Sequence, residues 1–157
     1  MVLPDLYAGR TADSIEEGFE IMQSVGWGAI CARARTAVER LPATAVLAGY
    51  SIGAGVVGNL WPDRTSCGAV VLLHGLAGNV RRKLPVTLHV ADPDLYAPPA
   101  ETERWMETAR SAGVCVDAFK YPNTGHFFTD RTLPDYDREA AERTWERVLN
   151  FLGRIER

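Results

Sequence analysis

With 157 residues, 46% of them hydrophobic and 24% charged, the chain has an ordinary globular composition and enough length for one domain with a real core. A net charge of −3 and a pI near 5.6 argue against nucleic acid or an anionic membrane as a partner, and no apolar run is long enough to span a bilayer. Cys31, Cys67 and Cys115 are scattered without metal-site spacing and read as reduced thiols; with no signal-peptide pattern after Met1, a cytoplasmic protein is expected.

In chain order, Val2 and Leu3 read as the end of a strand that runs into the loop from Pro4 to Arg10. Ser14-Ile15-Glu16-Glu17 carries a capping-box pattern, and Ile15, Phe19, Met22 and Val25 follow at helical spacing. After Gly26 and Gly28 a second helical pattern continues through Ile30, Ala34, Val38 and Leu41. The run from Ala45 to Ala48 predicts a short strand, and the small residues after Ser51 predict a helix packed closely on a sheet. Gly68 to Leu73 and Val86 to Val90 are β-rich runs without alternation, as in strands buried on both faces. Arg81-Arg82-Lys83, between them, reads as a solvated loop. Pro98 and Pro99 open a helix over 100–112, Val114 to Phe119 predicts a strand, and the last helix spans about 136–155. Its expected buried stripe is Ala141, Trp145, Val148, Leu149 and Leu152. Strands alternating with helices imply an α/β protein with a mostly parallel sheet, in a single domain over 1–157.

The chemistry is expected around Gly49-Tyr50-Ser51-Ile52-Gly53. This is the G-x-S-x-G pattern of a nucleophile elbow, a strand-to-helix turn that lifts a Ser hydroxyl above a sheet. Gly on either side of the Ser is read as a need for space, and the Ile52 N–H is the expected oxyanion donor. A Ser nucleophile needs a base, and the base needs an orienting carboxylate. Asp94 after the 86–90 strand and His126 after the 114–119 strand sit where functional groups gather, at the carboxyl ends of parallel strands. The order Ser51, Asp94, His126 is that of α/β-hydrolases. Asp92 is the rival for the acid. His74 and His89 lie inside apolar strand patterns and read as buried, satisfied structural histidines.

Pro4-Asp5-Leu6-Tyr7, the Gly49–Gly53 pentapeptide, His89-Val90-Ala91-Asp92-Pro93-Asp94 with Pro98, and Tyr121-Pro122-Asn123-Thr124-Gly125-His126-Phe127-Phe128 together resemble the dienelactone hydrolase family. The match is collinear and covers essentially the whole chain. It implies an α/β-hydrolase fold and hydrolysis of a small-molecule ester or lactone through an acyl-enzyme, with no cofactor and no metal. Ser51 would be the nucleophile, His126 the base and Asp94 the acid. Better-known members carry Cys in the elbow where this chain has Ser51, which would make the chemistry that of a serine esterase. Arginines that grip a substrate carboxylate in the family correspond only loosely to Arg10, and Asp130 lies close to the second position.

Family members begin well before Pro-Asp-Leu-Tyr, with a central strand and the loop bearing a second oxyanion donor. The expectation is therefore an N-terminally truncated hydrolase sheet of about five strands: either the true start lies upstream of Met1, or the protein is a natural fragment. A fragment could close the gap by direct strand pairing or as a homodimer across the exposed edge. Tyr7, Arg10, Tyr50 and Phe127 are the expected substrate-pocket residues, while Trp105 is read as core. The leading function is serine-dependent ester or lactone hydrolysis. The alternative is a catalytically inactive fragment acting as a binding or interaction module.

Overall fold

The computed structural model describes residues 1–64, 66–79 and 84–155, so the solvated loop expected at Arg81-Arg82-Lys83 lies outside the described residues. The chain falls into two units, Met1–Pro42 and Ala43–Arg157.

The first unit holds helices α1 (Ile15–Val25) and α2 (Trp27–Glu39). Ser14 caps α1 by accepting the Glu17 N–H at 3.1 Å, and the Glu17 carboxylate returns to the Asp13 N–H at 2.9 Å, one residue earlier than a strict capping box places it. Gly26, at φ 81°, ends α1 and starts α2. The inner face of α2 carries Ile30, Cys31 and Ala34, but on α1 only Ile21 is buried; Ile15 and Phe19 of the predicted stripe are exposed. The strand expected at Val2–Leu3 is absent: residues 1–3 are exposed and unpaired in any ladder. Three residues that run into a proline can contribute few ladder bonds, too few to hold a strand.

The second unit is a four-stranded parallel sheet, β1 (Leu47–Tyr50), β2 (Val70–Leu73), β3 (Pro85–Asp92) and β4 (Cys115–Pro122), in that spatial order. The sheet thus has four strands rather than about five. Helices α3 (Ile52–Leu60), α4 (Pro99–Ser111) and α5 (Arg138–Ile155) complete it. Parallel neighbours cannot be joined by a hairpin, so α3 and α4 serve as crossovers from β1 to β2 and from β3 to β4. Every residue of β2 and the middle six of β3 are buried, which accounts for their unbroken apolar runs. Ala69, Val71 and Leu73 pack on Val148 and Phe151 of α5, while Ala91 and Tyr121 pack on Phe128 and Ala140.

The buried stripe of α5 is Ala140, Ala141, Thr144, Val148 and Phe151; Trp145 and Leu149 of the predicted stripe face solvent. The observed face is the predicted one turned by about one residue. Thr144 hides it in the sequence, because the neighbouring Trp145 and Leu149 are the more apolar pair. Trp105 of α4 is core, and its indole N–H donates to the Ala77 carbonyl at 2.6 Å. Among the described residues no helix is long and apolar enough to cross a membrane.

Candidate active site

The carboxyl ends of the strands place three side chains over one edge of the sheet. Strand β1 runs to Tyr50, two residues beyond the predicted end, and passes directly into Ser51 and α3. Ser51 has φ 50° and ψ −114°, a conformation that costs a non-glycine residue about 1–3 kcal/mol and persists only when surroundings enforce it. The enforcement comes from close packing. A Cβ on Gly49 would meet the Gly53 carbonyl oxygen at 2.3 Å and the Ala54 nitrogen at 2.6 Å, so no side chain fits there. Gly53 is different: a Cβ would meet nothing within 4 Å, so the expected need for glycine on both sides of the Ser holds on one side only.

Strand β3 extends past the β2 register to Asp92, and Asp94 follows in the turn. The Asp94 carboxylate is buried, and its Oδ1 accepts the backbone N–H groups of Tyr96 at 2.8 Å and Ala97 at 3.1 Å. Asp94, not its rival Asp92, is the carboxylate that faces His126. Burial alone would raise the Asp94 pKa. The hydrogen bond and charge of His126, with the two backbone donors, outweigh it, so the carboxyl is held below its usual range.

Beyond β4 the segment 123–137 carries His126, which is buried. Its Nδ1 lies 2.8 Å from both Asp94 oxygens, and its Nε2 lies 2.9 Å from Ser51 Oγ. With Nδ1–H donating to the carboxylate, Nε2 presents its lone pair to the Ser51 hydroxyl, which donates to it. Gly125 has its own steric reason: a Cβ there would meet the Asp135 carboxyl carbon at 2.3 Å, and the same carboxylate accepts the Phe127 N–H at 3.1 Å. A single carboxylate thus bonds the backbone after His126 and fills the space a side chain before it would need.

Aromatic rings surround His126. Tyr96 and Phe127 lie 4.7 and 4.6 Å from the His126 ring, and Tyr50 stacks on Phe127 at 6.5 Å. The Tyr50 hydroxyl has its pKa raised, chiefly by burial and further by Asp130 and Asp135, against a hydrogen bond from Thr129. The Ile52 N–H stands at the first position of α3, where a helix leaves its amides without intrahelical partners.

Of the residues singled out from sequence, Ser51, Ile52, Asp94, His126, Tyr50 and Phe127 come together in the second unit. Tyr7 and Arg10 belong to the first, where the Tyr7 N–H bonds the Asp5 carboxylate and Arg10 bonds the Ser24 hydroxyl at 2.9 Å. Sequence reasoning missed Tyr96, Thr129 and Asp135, and read His74 only as core. No periodicity marks these residues, because their partners lie on other strands and loops. Among the described residues no cluster of His, Cys, Asp or Glu could hold a metal ion.

The sequence profile of the dienelactone hydrolase family matches residues 1–156. A protein of Methylorubrum extorquens that carries the name carboxymethylenebutenolidase is 33% identical over 69 residues, which are 44% of this chain and 24% of that protein. The fold superposes on the solved structure called m3DLH with a TM-score of 0.74 at 20% identity, over 94% of this chain and 70% of that one. It also superposes on P91, described as a dienelactone hydrolase-like promiscuous phosphotriesterase from metagenomic libraries, with a TM-score of 0.65 at 20% identity, over 88% and 65% of the two chains. The chain therefore spans about a quarter of the length of the curated relative and about two thirds of these solved structures. A match over nearly the entire sequence, on a parallel sheet of the α/β-hydrolase kind, shows that this chain belongs to the dienelactone hydrolase family.

Proposed function

We propose that this protein is a serine-dependent hydrolase of small-molecule ester or lactone bonds. The observation that carries the reading is the unbroken hydrogen-bonded chain from Ser51 Oγ through His126 to the buried Asp94 carboxylate, set on a strained elbow. As Ser51 attacks the substrate carbonyl, its proton passes to His126 Nε2. Asp94 fixes the Nδ1–H tautomer and stabilises the imidazolium. The tetrahedral oxyanion takes the Ile52 N–H, where the dipole of α3 adds to the field. His126 then protonates the leaving oxygen, leaving an acyl-Ser51 ester. Water, deprotonated by the same ring, cleaves that ester and frees the acid. Every step is proton transfer and acyl transfer, so no cofactor is required. The family membership and the names of the relatives support an ester or lactone as the substrate class.

Labelling with a fluorophosphonate, alongside hydrolysis of 4-nitrophenyl acetate, tests the reading. Ser51→Ala is expected to abolish labelling and lower turnover by about a thousandfold or more. A folded wild-type protein that is neither labelled nor active would overturn it in favour of a non-catalytic binding role.

A further inference from the structure

His126 has a positioning problem that its own loop does not solve. It is carried by the segment after β4, at one edge of the sheet, yet it must reach Ser51 after β1, at the other. Parallel strands stand about 4.8 Å apart, so the ring is held roughly two to three strand spacings from its own strand. One side chain stands beneath that span. His74 follows β2, the strand next to the elbow, and is wholly buried with its backbone at φ 56°. Its backbone N–H donates to the His89 carbonyl at 2.8 Å, extending the β2–β3 ladder by one bond.

The His74 ring touches both halves of the site. It lies 4.7 Å from Tyr50, the residue before Ser51, and edge-on to Phe128 at 4.5 Å and His126 at 5.9 Å. Its Nε2 is 2.8 Å from Thr129 Oγ1, three residues after His126. The Thr129 hydroxyl also reaches the Tyr50 oxygen at 3.5 Å, so Thr129 links the His74 ring to Tyr50. Burial first, then the neighbouring His126 and His89, lowers the His74 pKa to about 3, against Asp94 and a hydrogen bond to the His126 backbone, so the ring is neutral near pH 7. That neutrality suits the chemistry: when His126 becomes an imidazolium, the adjacent ring adds no positive charge.

We propose that His74 is a positioning residue, a wedge between Tyr50 and Thr129 that holds His126 within reach of the Ser51 hydroxyl. The proposal rests on the serine-hydrolase reading, and two substitutions with different chemistry test it. Thr129→Val removes the partner and leaves the ring, whereas His74→Phe keeps the ring's bulk and removes the bond. Each is expected to lower kcat for 4-nitrophenyl acetate about tenfold with KM within about twofold, since a small misplacement of a reacting group is costly. The double variant should be no slower than His74→Phe, because both changes break one bond, and Thr129→Ser should restore kcat to within about twofold. The rate of fluorophosphonate labelling should fall in parallel, and the low-field Nδ1 proton of His126 should shift in the 1H NMR spectrum. Folded variants with wild-type kcat, unmoved labelling and an unmoved proton would overturn the proposal, as would fully additive losses in the double variant. If the wild-type chain is not labelled at Ser51, the hydrolase reading falls by itself, and the proton shift still decides whether His74 places His126.

Discussion

The two segments that meet at the site are held by different physics. The elbow, Leu47 to Leu60, is fixed by backbone against backbone: Gly49 lies where any Cβ would strike the Gly53 carbonyl, and Ser51 turns the chain at φ 50°. The histidine loop, 123–137, is fixed by side chains that reach it from elsewhere. Asp135 holds Phe127, Asp94 holds His126, and His74 holds Thr129. Hard-sphere exclusion is short-ranged and tolerates no adjustment. Hydrogen bonds to a loop can bend, re-form with water, or be lost one at a time. The elbow should therefore respond to steric substitution as a unit, and the loop should respond to charge and pH by degrees.

Acid is expected to have the largest effect, and to act on the histidines behind the loop. His74 and His89 are both wholly buried, with pKa values lowered to about 3 and about 4, mainly by burial, with Arg147 adding to the effect at His89. Unfolded, each would titrate near 6.5. Above that pH neither state binds the protons and the histidines cost nothing. Below it the unfolded chain takes up two protons that the native state refuses, so stability falls as pH falls toward the native values. At about 1.4 kcal/mol per unit for each histidine, roughly 5 kcal/mol should disappear between about pH 6.5 and 4.5. Urea unfolding across that range measures it. A flat profile would sink the argument, and His74→Phe should remove about half of the slope.

Gly49→Ala comes next. The clash is with main chain at the start of α3, so relief requires moving the helix, at a cost of about 3 kcal/mol or more. Chemical unfolding reads the stability, and loss of fluorophosphonate labelling reads the site; a folded, labelled variant would show the elbow to be more pliant than the packing indicates. Gly125→Ala should be milder, about 1–2 kcal/mol, because the obstructing Asp135 carboxylate ends a side chain that can swing away. Turnover should fall more than stability, since the released carboxylate no longer anchors the Phe127 N–H beside His126. Equal stability losses at Gly49 and Gly125 would erase the contrast between the two segments. Gly53→Ala is the smallest effect and has the opposite sign. With open space around it and a position inside α3, alanine should stabilise the protein by up to about 1 kcal/mol.

The same contrast explains what could be read without coordinates. The elbow was legible because its constraint is local: glycine spacing around a Ser, an apolar run before it and small residues after it lie within sixteen consecutive positions. Unbroken apolar runs marked β2 and β3 because both faces of these strands are buried, so neither face is selected for polarity. The order of Ser51, Asp94 and His126 followed from the rule that parallel strands present their carboxyl ends together. Periodicity alone misplaced the face of α5, since Trp145 and Leu149 outrank Thr144 in hydropathy although Thr144 is the residue inside.

What the sequence determined by itself was thus the α/β alternation, the elbow around Ser51, and the chain order in which an acidic residue near 92–94 and then His126 follow it, from local pattern and the common direction of parallel strands. Tertiary structure alone decided that Asp94 rather than Asp92 faces the base, that Gly49 and not Gly53 must lack a side chain, and that His74 and Asp135 bear on His126. Those outcomes depend on which strand ends and loops meet in space, across 52 positions from His74 to His126, and no local propensity encodes such a meeting.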